Sequence, residues 1–349
     1  MTAYLFKRLL LMIPTLVGVL LVSFIIIQFV PGGPVEQLIN ELAHKGMAGE
    51  AGSFGKFAYR GATGLDAQRL AEIRTLYGFD KPAAERFFDM LWKYARFDFG
   101  ESFFHHRSVF SLLVSKLPVS ISLGGWSFLL IYTVSIPLGI CKAVRDGSRF
   151  DAISSIVLLI GYAIPGFVLG LLLLVLFGGG SFLNVFPMRG LTSDDWGSLS
   201  WNGQVIDYLW HLVLPVVASS VSGFAVITFL TKNSFIEEIR KQYVLTARAK
   251  GLDGRTVLLK HVLRNAMIPL VTGFPAAFIG MFFTGSLLIE TTFSLDGLGL
   301  LSYESVLRRD YPVVLGTLYL YTLLGLFAKL LSDLSYVLVD PRIGFETVS

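Results

Sequence analysis

The sequence predicts an all-α polytopic membrane protein, with six transmembrane helices and a small helical subdomain outside the bilayer. Three observations carry that prediction. Hydrophobic residues make up 54% of the 349-residue chain and charged residues only 15%, with a mean hydropathy of +0.66. Soluble domains carry about 25% charged residues, so part of this surface must face something other than water. Apolar runs recur at the length a bilayer core of about 30 Å requires, roughly 20 helical residues. Lys and Arg collect in alternate short loops. The same composition excludes disorder and a soluble enzyme, and a net charge of +4 is too small to argue for nucleic acid. Cys141 is the single cysteine, which excludes an internal disulfide and any CxxC redox or metal site.

The first apolar window runs from about Leu9 to Val30 behind Lys7 and Arg8, and Pro31-Gly32-Gly33-Pro34 ends it. It is longer than the apolar core of a signal peptide and no A-x-A site follows, so it reads as an uncleaved anchor. Residues 31–118 then form a long loop outside the membrane. Its stretch from Ala43 to Thr63 is rich in Gly, Ala and Ser with few large apolar residues, which predicts a mobile stretch. From Asp66, a plausible N-cap, Leu65, Leu70, Ile73, Leu76 and Tyr77 recur at helical spacing until Gly78. Pro82 opens a second short helix. Its Phe87, Phe88, Leu91, Trp92 and Tyr94 supply an apolar face for the outer ends of the spans or for a partner.

Residues 119–339 hold the remaining windows: about Val119–Ile140, Ile153–Phe177, Leu212–Leu230, Ile268–Ile289 and Val313–Val339. The third contains Gly161, Pro165, Gly166 and Gly170, and the fifth Gly273, Pro275, Gly280 and Gly285. Such residues suit close helix packing and equally suit helices that line a pathway and move. Lys329 and Asp333 lie four apart in the last window, the spacing of a local ion pair. In the loop at 178–211, Trp201 and Trp210 could anchor at the membrane interface.

Orientation follows from the short loops. With the N-terminus in the cytoplasm, the inner side carries Lys7 and Arg8. It also carries Lys142, Arg145 and Arg149, the run from Lys232 to Arg264, and Arg342 in the tail at 340–349. The short outer loops carry Arg189, Arg308 and Arg309. That imbalance predicts six spans with both termini cytoplasmic, since long loops such as 31–118 do not vote.

Catalytic signatures are missing. No G-x-x-x-x-G-K-[ST] loop, H-E-x-x-H or G-x-S-x-G occurs, so no catalytic residue and no metal site is assigned. His105-His106 is the only histidine cluster, and adjacent residues make a poor chelate.

The inner loop at 232–265 is the most informative segment. Gln242 to Ala249 is helical by composition, Gly251 is a natural stop, Asp253-Gly254 supplies a turn, and Arg255 to Asn265 continues as helix. A short helix outside the membrane with small residues can enter a groove on another protein. It can equally be a solvated basic loop that holds orientation.

The wording of this loop resembles the E-A-A-x-x-x-G motif of binding-protein-dependent ABC importer permeases. Thr246 replaces the Glu, Ala247 matches the first Ala, Arg248 replaces the second, Gly251 matches the Gly, and Ile268-Pro269 resembles the motif's end. Thr246-Ala247-Arg248-Ala249-Lys250-Gly251 is the form usual in the oligopeptide and dipeptide branch. The resemblance extends along nearly the whole chain. It includes Pro31–Pro34, Gly78–Pro82, Asp98–Ser102, Phe293–Leu301, Arg309–Val314 and Asp340–Arg342. Within the branch, the enlarged Gly-rich loop and Ser148-Arg149-Phe150-Asp151 look most like the Yej-type peptide permeases.

The resemblance implies a type I importer permease fold in the bacterial inner membrane. It implies a non-catalytic subunit that forms half of a peptide pathway with a second permease subunit. A periplasmic solute-binding protein delivers peptide, and a cytoplasmic ABC ATPase carries the ATP and Mg, with no cofactor on this chain. For the Yej-type group the cargo would include oligopeptides and a peptide-nucleotide antibiotic of the microcin kind. The ATPase-coupling residues would be Tyr243, Thr246, Ala247, Arg248, Ala249, Lys250 and Gly251. Membrane lipid is a further partner; the substrate-binding residues are not assigned. From the residues alone, an ion-coupled secondary transporter and a membrane scaffold stay open. The former would want ionisable groups buried near midplane, and the middles of the first five windows hold none.

Overall fold

A computed structural model describes residues 2–29, 81–179, 182–283 and 287–339. The helix expected after Asp66, the Gly-rich stretch and the tail lie outside the described residues. Among the described residues, besides a 3-10 turn at Trp196–Ser198, twelve helices follow in order: α1 (Thr2–Phe29), α2 (Ala83–Tyr94), α3 (Val109–Val144), α4 (Arg149–Ala163), α5 (Gly166–Phe177), α6 (Trp201–Ile239), α7 (Gln242–Ala249), α8 (Gly254–Ala266), α9 (Ile268–Phe283), α10 (Leu287–Thr292), α11 (Leu298–Leu307) and α12 (Tyr311–Val339). Among the described residues there is no strand, only two isolated bridges.

Four helices among the described residues are long and apolar enough to cross a membrane, and two bent pairs bring the number to as many as six. The first pair covers the third window, 153–177, whose Pro165 and glycines read as helix breakers. α4 and α5 meet at 94°. Pro165 is the cause: it crowds the residue before it out of the helical region, and Ile164 sits extended at φ −85°, ψ 121°. At about 1.5 Å per residue neither half alone spans the hydrocarbon core. The second pair, α8 and α9, bends by 49° at Met267, just before Pro269. In the fifth window, Ile268–Ile289, the described residues belong to α9 and to α10, and residues 284–286 between them lie outside the described residues. The second window is part of a longer helix that begins at Val109, so the boundary placed at 118/119 falls inside α3.

The chain forms two compact units: Met1–Leu9, Ser115–Leu301 and Leu323–Ser349 make one, and Leu10–Val114 with Ser302–Thr322 make the other. In the larger unit α6 is the shaft. Two close approaches show how tightly its neighbours lie. A Cβ on Gly166 would stand 2.8 Å from the Ala218 carbonyl, and one on Gly139 would stand 2.8 Å from the Thr228 carbonyl. Glycine is what lets these backbones meet. Leu123, Leu212, Leu214, Ala218, Ile289, Phe293 and Leu295 form one buried cluster around the shaft. Arg8 meets Asp333 at 2.9 Å, which places the start of α1 beside the end of α12.

The motif Phe293–Leu301 acquires a physical reason here. The first N–H groups of a helix have no partner within the helix. At α11 the Leu298 N–H donates to Ser120 Oγ at 2.9 Å, and the Leu300 N–H donates to Glu290 Oε2 at 2.7 Å. Glu290 is fully buried. Its carboxylate lies where a Cβ on Gly297 would stand, 2.5 Å away.

In the smaller unit two separate sequence motifs meet. Asp310, buried, accepts from Ser102 Oγ at 2.5 Å and from the Phe103 N–H at 3.2 Å. The adjoining Tyr94 packs edge to face on Phe99 and on Tyr319, which are themselves tilted to one another, with centroids 5.0 to 5.5 Å apart.

Gly297→Ala should therefore destabilise the protein by about 1–3 kcal/mol, the usual range for overpacking. Gly325→Ala, whose new methyl meets nothing, should be near neutral. Thermal unfolding of the two variants in the same detergent checks this, with a lower midpoint expected for the first alone.

Candidate functional site

The segment that joins α6 to α9 is built from inside outward. α7 has a buried stripe, Val244 and Ala247, three residues apart on one face. They pack with Ala143, Phe235, Val257, Val262 and Ala266, so α7 rests on the ends of α3, α6 and α8. Polar contacts fasten the same face. Tyr243 Oη donates to Glu238 Oε2 at 2.7 Å, and Lys241 pairs with the other Glu238 oxygen. Burial, then the hydrogen bond to Glu238, pushes the Tyr243 phenol up from its ordinary value. The Glu238 carboxylate, through its hydrogen bond, also holds Lys241 above the usual lysine value.

The end of α7 is a Schellman turn. The Gly251 N–H donates to the Arg248 carbonyl at 2.9 Å and the Leu252 N–H to the Ala247 carbonyl at 3.3 Å. Gly251 has φ +83°, the left-handed conformation that costs a residue with Cβ roughly 1 kcal/mol or more. Asp253 then caps α8 through the Thr256 N–H at 3.1 Å. The Thr256 side chain first, and then that N–H, hold its carboxyl below the usual value. Within α8, Val257–Val262 form a π-helical turn, an irregularity frequent at functional positions.

The expected coupling residues divide between two faces. Tyr243 is half-buried and Ala247 is buried against the protein's own core. Ala247 is therefore not a small outward contact, as its place in the motif suggested. Thr246, Arg248, Ala249, Lys250 and Gly251 are exposed. The uncovered face also carries Leu245, 52% exposed, and Leu252, 39% exposed. Reading the small residues missed both leucines. The Val244–Ala247 spacing is the signal that turns them outward. The result is an outer face of two leucines, an arginine and an alanine on a helix clamped from behind, a shape suited to a groove in another protein.

Behind this segment lies a second feature that the sequence did not announce. Lys142, counted above as a loop charge, is fully buried. Its ammonium donates to the Asp151 carbonyl at 2.8 Å, Ser154 Oγ at 2.7 Å and Ser155 Oγ at 2.8 Å, and lies 3.0 Å from Asp151 Oδ1. Lys232 of α6 reaches Asp151 Oδ2 at 2.7 Å and Asp146 at 2.9 Å. One carboxylate thus joins α3, α4 and α6. A buried ion is tolerable only when paired and hydrogen-bonded, as this one is.

Comparison with known proteins follows the same lines. Residues 135–345 match the family described as binding-protein-dependent transport system inner membrane component. The chain is 55% identical to the peptidoglycan transport system permease protein YejB of Agrobacterium fabrum, over 99% of each chain. It is 56% identical to the inner membrane ABC transporter permease protein YejB of Escherichia coli O157:H7, over 99% of this chain and all of the other. It is 32% identical to the dipeptide transport system permease protein DppB of E. coli K12, over 98% and 99%. On its helical, bilayer-length architecture and on these matches, the chain belongs to the family of binding-protein-dependent transport system inner membrane components, the permease subunits of ABC transporters.

Proposed function

We propose that this chain forms one half of a pathway through which an ATP-driven importer carries peptide-containing cargo into the cytoplasm, and that α7 is where ATP hydrolysis on another chain is felt. The observation that carries the reading is the two-faced α7. Its inner side is bonded to α3, α6 and α8, so a push on its outer side is passed to the helices rather than absorbed. The names of the relatives, one for peptidoglycan and one for dipeptide, support the class of cargo. A second, different permease subunit, an ABC ATPase with its ATP and Mg, and a solute-binding protein complete the assembly. Thr246, Arg248, Ala249, Lys250 and Gly251, with Leu245 and Leu252, form the contact face. Tyr243 and Ala247 position it from behind.

The face is tested by separating contact from support. In the assembled complex, Leu245→Asp with Leu252→Asp places carboxylates in an apolar contact, a cost of several kcal/mol. Membrane level and unfolding temperature should stay near those of the parent, while the ATPase fails to co-purify or its hydrolysis no longer responds to the binding protein. Ala247→Glu should instead lower the unfolding temperature, because the carboxylate enters the protein's own core. Lys260→Ala, an exposed charge outside that face, should stay within about twofold of parent uptake. If the double leucine variant transports like the parent, the contact face is elsewhere.

We further propose that α7 and both termini lie in the cytoplasm. The Arg8–Asp333 contact supports termini on one side, and the Lys and Arg of the α7 segment support the inner side. In a Cys141→Ser background, Ser198→Cys should react with an impermeant maleimide on intact spheroplasts, and Lys250→Cys should react only after lysis. The opposite pattern would invert the topology.

A further inference from the structure

α2 is an aromatic helix whose outer side is uncovered, and its surroundings say what covers it. Phe87 and Tyr94 face inward and are buried. The Phe87 ring packs tilted against Phe24 of α1, centroids 5.4 Å apart, and Arg86 donates to Gln28 at 2.7 Å. Phe24 and Gln28 belong to the closing turns of α1, the end of an apolar span that runs Phe6–Gln28. These contacts set α2 against the terminus of that span, at the depth where hydrocarbon gives way to headgroups. The sides of α2 are sorted by chemistry. Around the helix from Tyr94 through Leu91 and Phe88 to Trp92 the side chains are apolar, and the remaining arc carries Glu85, Asp89, Lys93 and Arg86. Phe88 is 68% exposed and Trp92 63% exposed, one turn apart. Arg96 stands over the Trp92 ring at 4.4 Å, a cation beside an aromatic at the edge of the apolar arc.

We propose that α2 is an interfacial helix, and that Phe88 and Trp92 are a phospholipid-binding surface which enters the headgroup boundary beside α1. A helix lying in the interface needs one apolar side, one charged side and aromatic residues at the boundary, and α2 has each. Its level is set by the last turns of α1, so the bilayer meets the uncovered aromatics without any further partner. The cations of the charged arc and Arg96 lie where lipid phosphates are. The role is anchorage: α2 fixes the height of the first segment after α1 relative to the membrane.

The test uses the full chain with its partner subunits in nanodiscs of phosphatidylethanolamine and phosphatidylglycerol, in a Cys141→Ser background. Nitroxide labels are placed singly by Phe88→Cys, Trp92→Cys and Asp89→Cys. Labels at 88 and 92 should collide with oxygen several-fold more than with a water-soluble nickel chelate, and the label at 89 should show the reverse preference. Two positions on the apolar side keep the test intact if one variant assembles poorly. Nickel access at 88 and 92 equal to that at 89 would overturn the proposal. So would protection of 88 and 92 that appears only when the solute-binding protein is added, since the face would then be a protein contact.

Discussion

A helix end at or within a bilayer has little or no water for its orphan N–H and C=O groups, and this chain meets that constraint with buried or half-buried side chains at its breaks. Ser120 and Glu290 take the first N–H groups of α11. Ser148 takes that of Asp151 at the start of α4. In the smaller unit Asp310 does the same for a turn rather than a helix end, taking the Phe103 N–H. Each of these acceptors comes from a segment that sequence order separates from its donor or that a turn presents to it. The breaks are therefore places where the fold is tied, and the motif residues collect there. Gly297 is glycine because Glu290 must reach past it.

The Lys142–Asp151–Lys232 cluster extends the same logic from backbone to charge. A cation with no exposed surface has a large desolvation cost, which its ion pair and hydroxyl acceptors offset. The arrangement holds only when α3, α4 and α6 keep their relative register, since the acceptors Asp151, Ser154 and Ser155 lie on consecutive turns of α4. It stands next to the apolar cluster on which α7 rests, with Lys142 adjacent to Ala143 and Lys232 three residues before Phe235. The mechanical support of α7 is thus partly apolar and partly ionic. Its outer side is left with leucines and an arginine that have nothing of this unit's core to pack on.

Much of the architecture was legible in the residues. Mean hydropathy, apolar window length and the sparse charge predict a helical membrane protein without reference to any contact. The turn chemistry was legible as well. Gly251 ends α7 at φ +83°, Asp253 caps α8, and Pro82 precedes α2, because these residues act through their own backbone or their nearest neighbours. The family motif was legible because it is a string of such local choices.

Tertiary structure decided what depends on residues far apart in the chain. Composition made the third window one run, but the 94° bend at Pro165 came from backbone crowding that hydropathy does not register. Ala247 reads as a small outward residue in the motif, and packing against Phe235 and Val262 turned it inward and Leu245 outward. Lys142 reads as a loop charge, and Asp151 drew it into the interior. Glu290 stands at the end of an apolar run, and only the return of the chain at α11 gives its carboxylate N–H donors. The sequence by itself determined the solvent in which each segment is stable and the local turns between segments. Which polar side chain meets which orphan group is a property of the closed fold, because both partners must be brought together before either is satisfied.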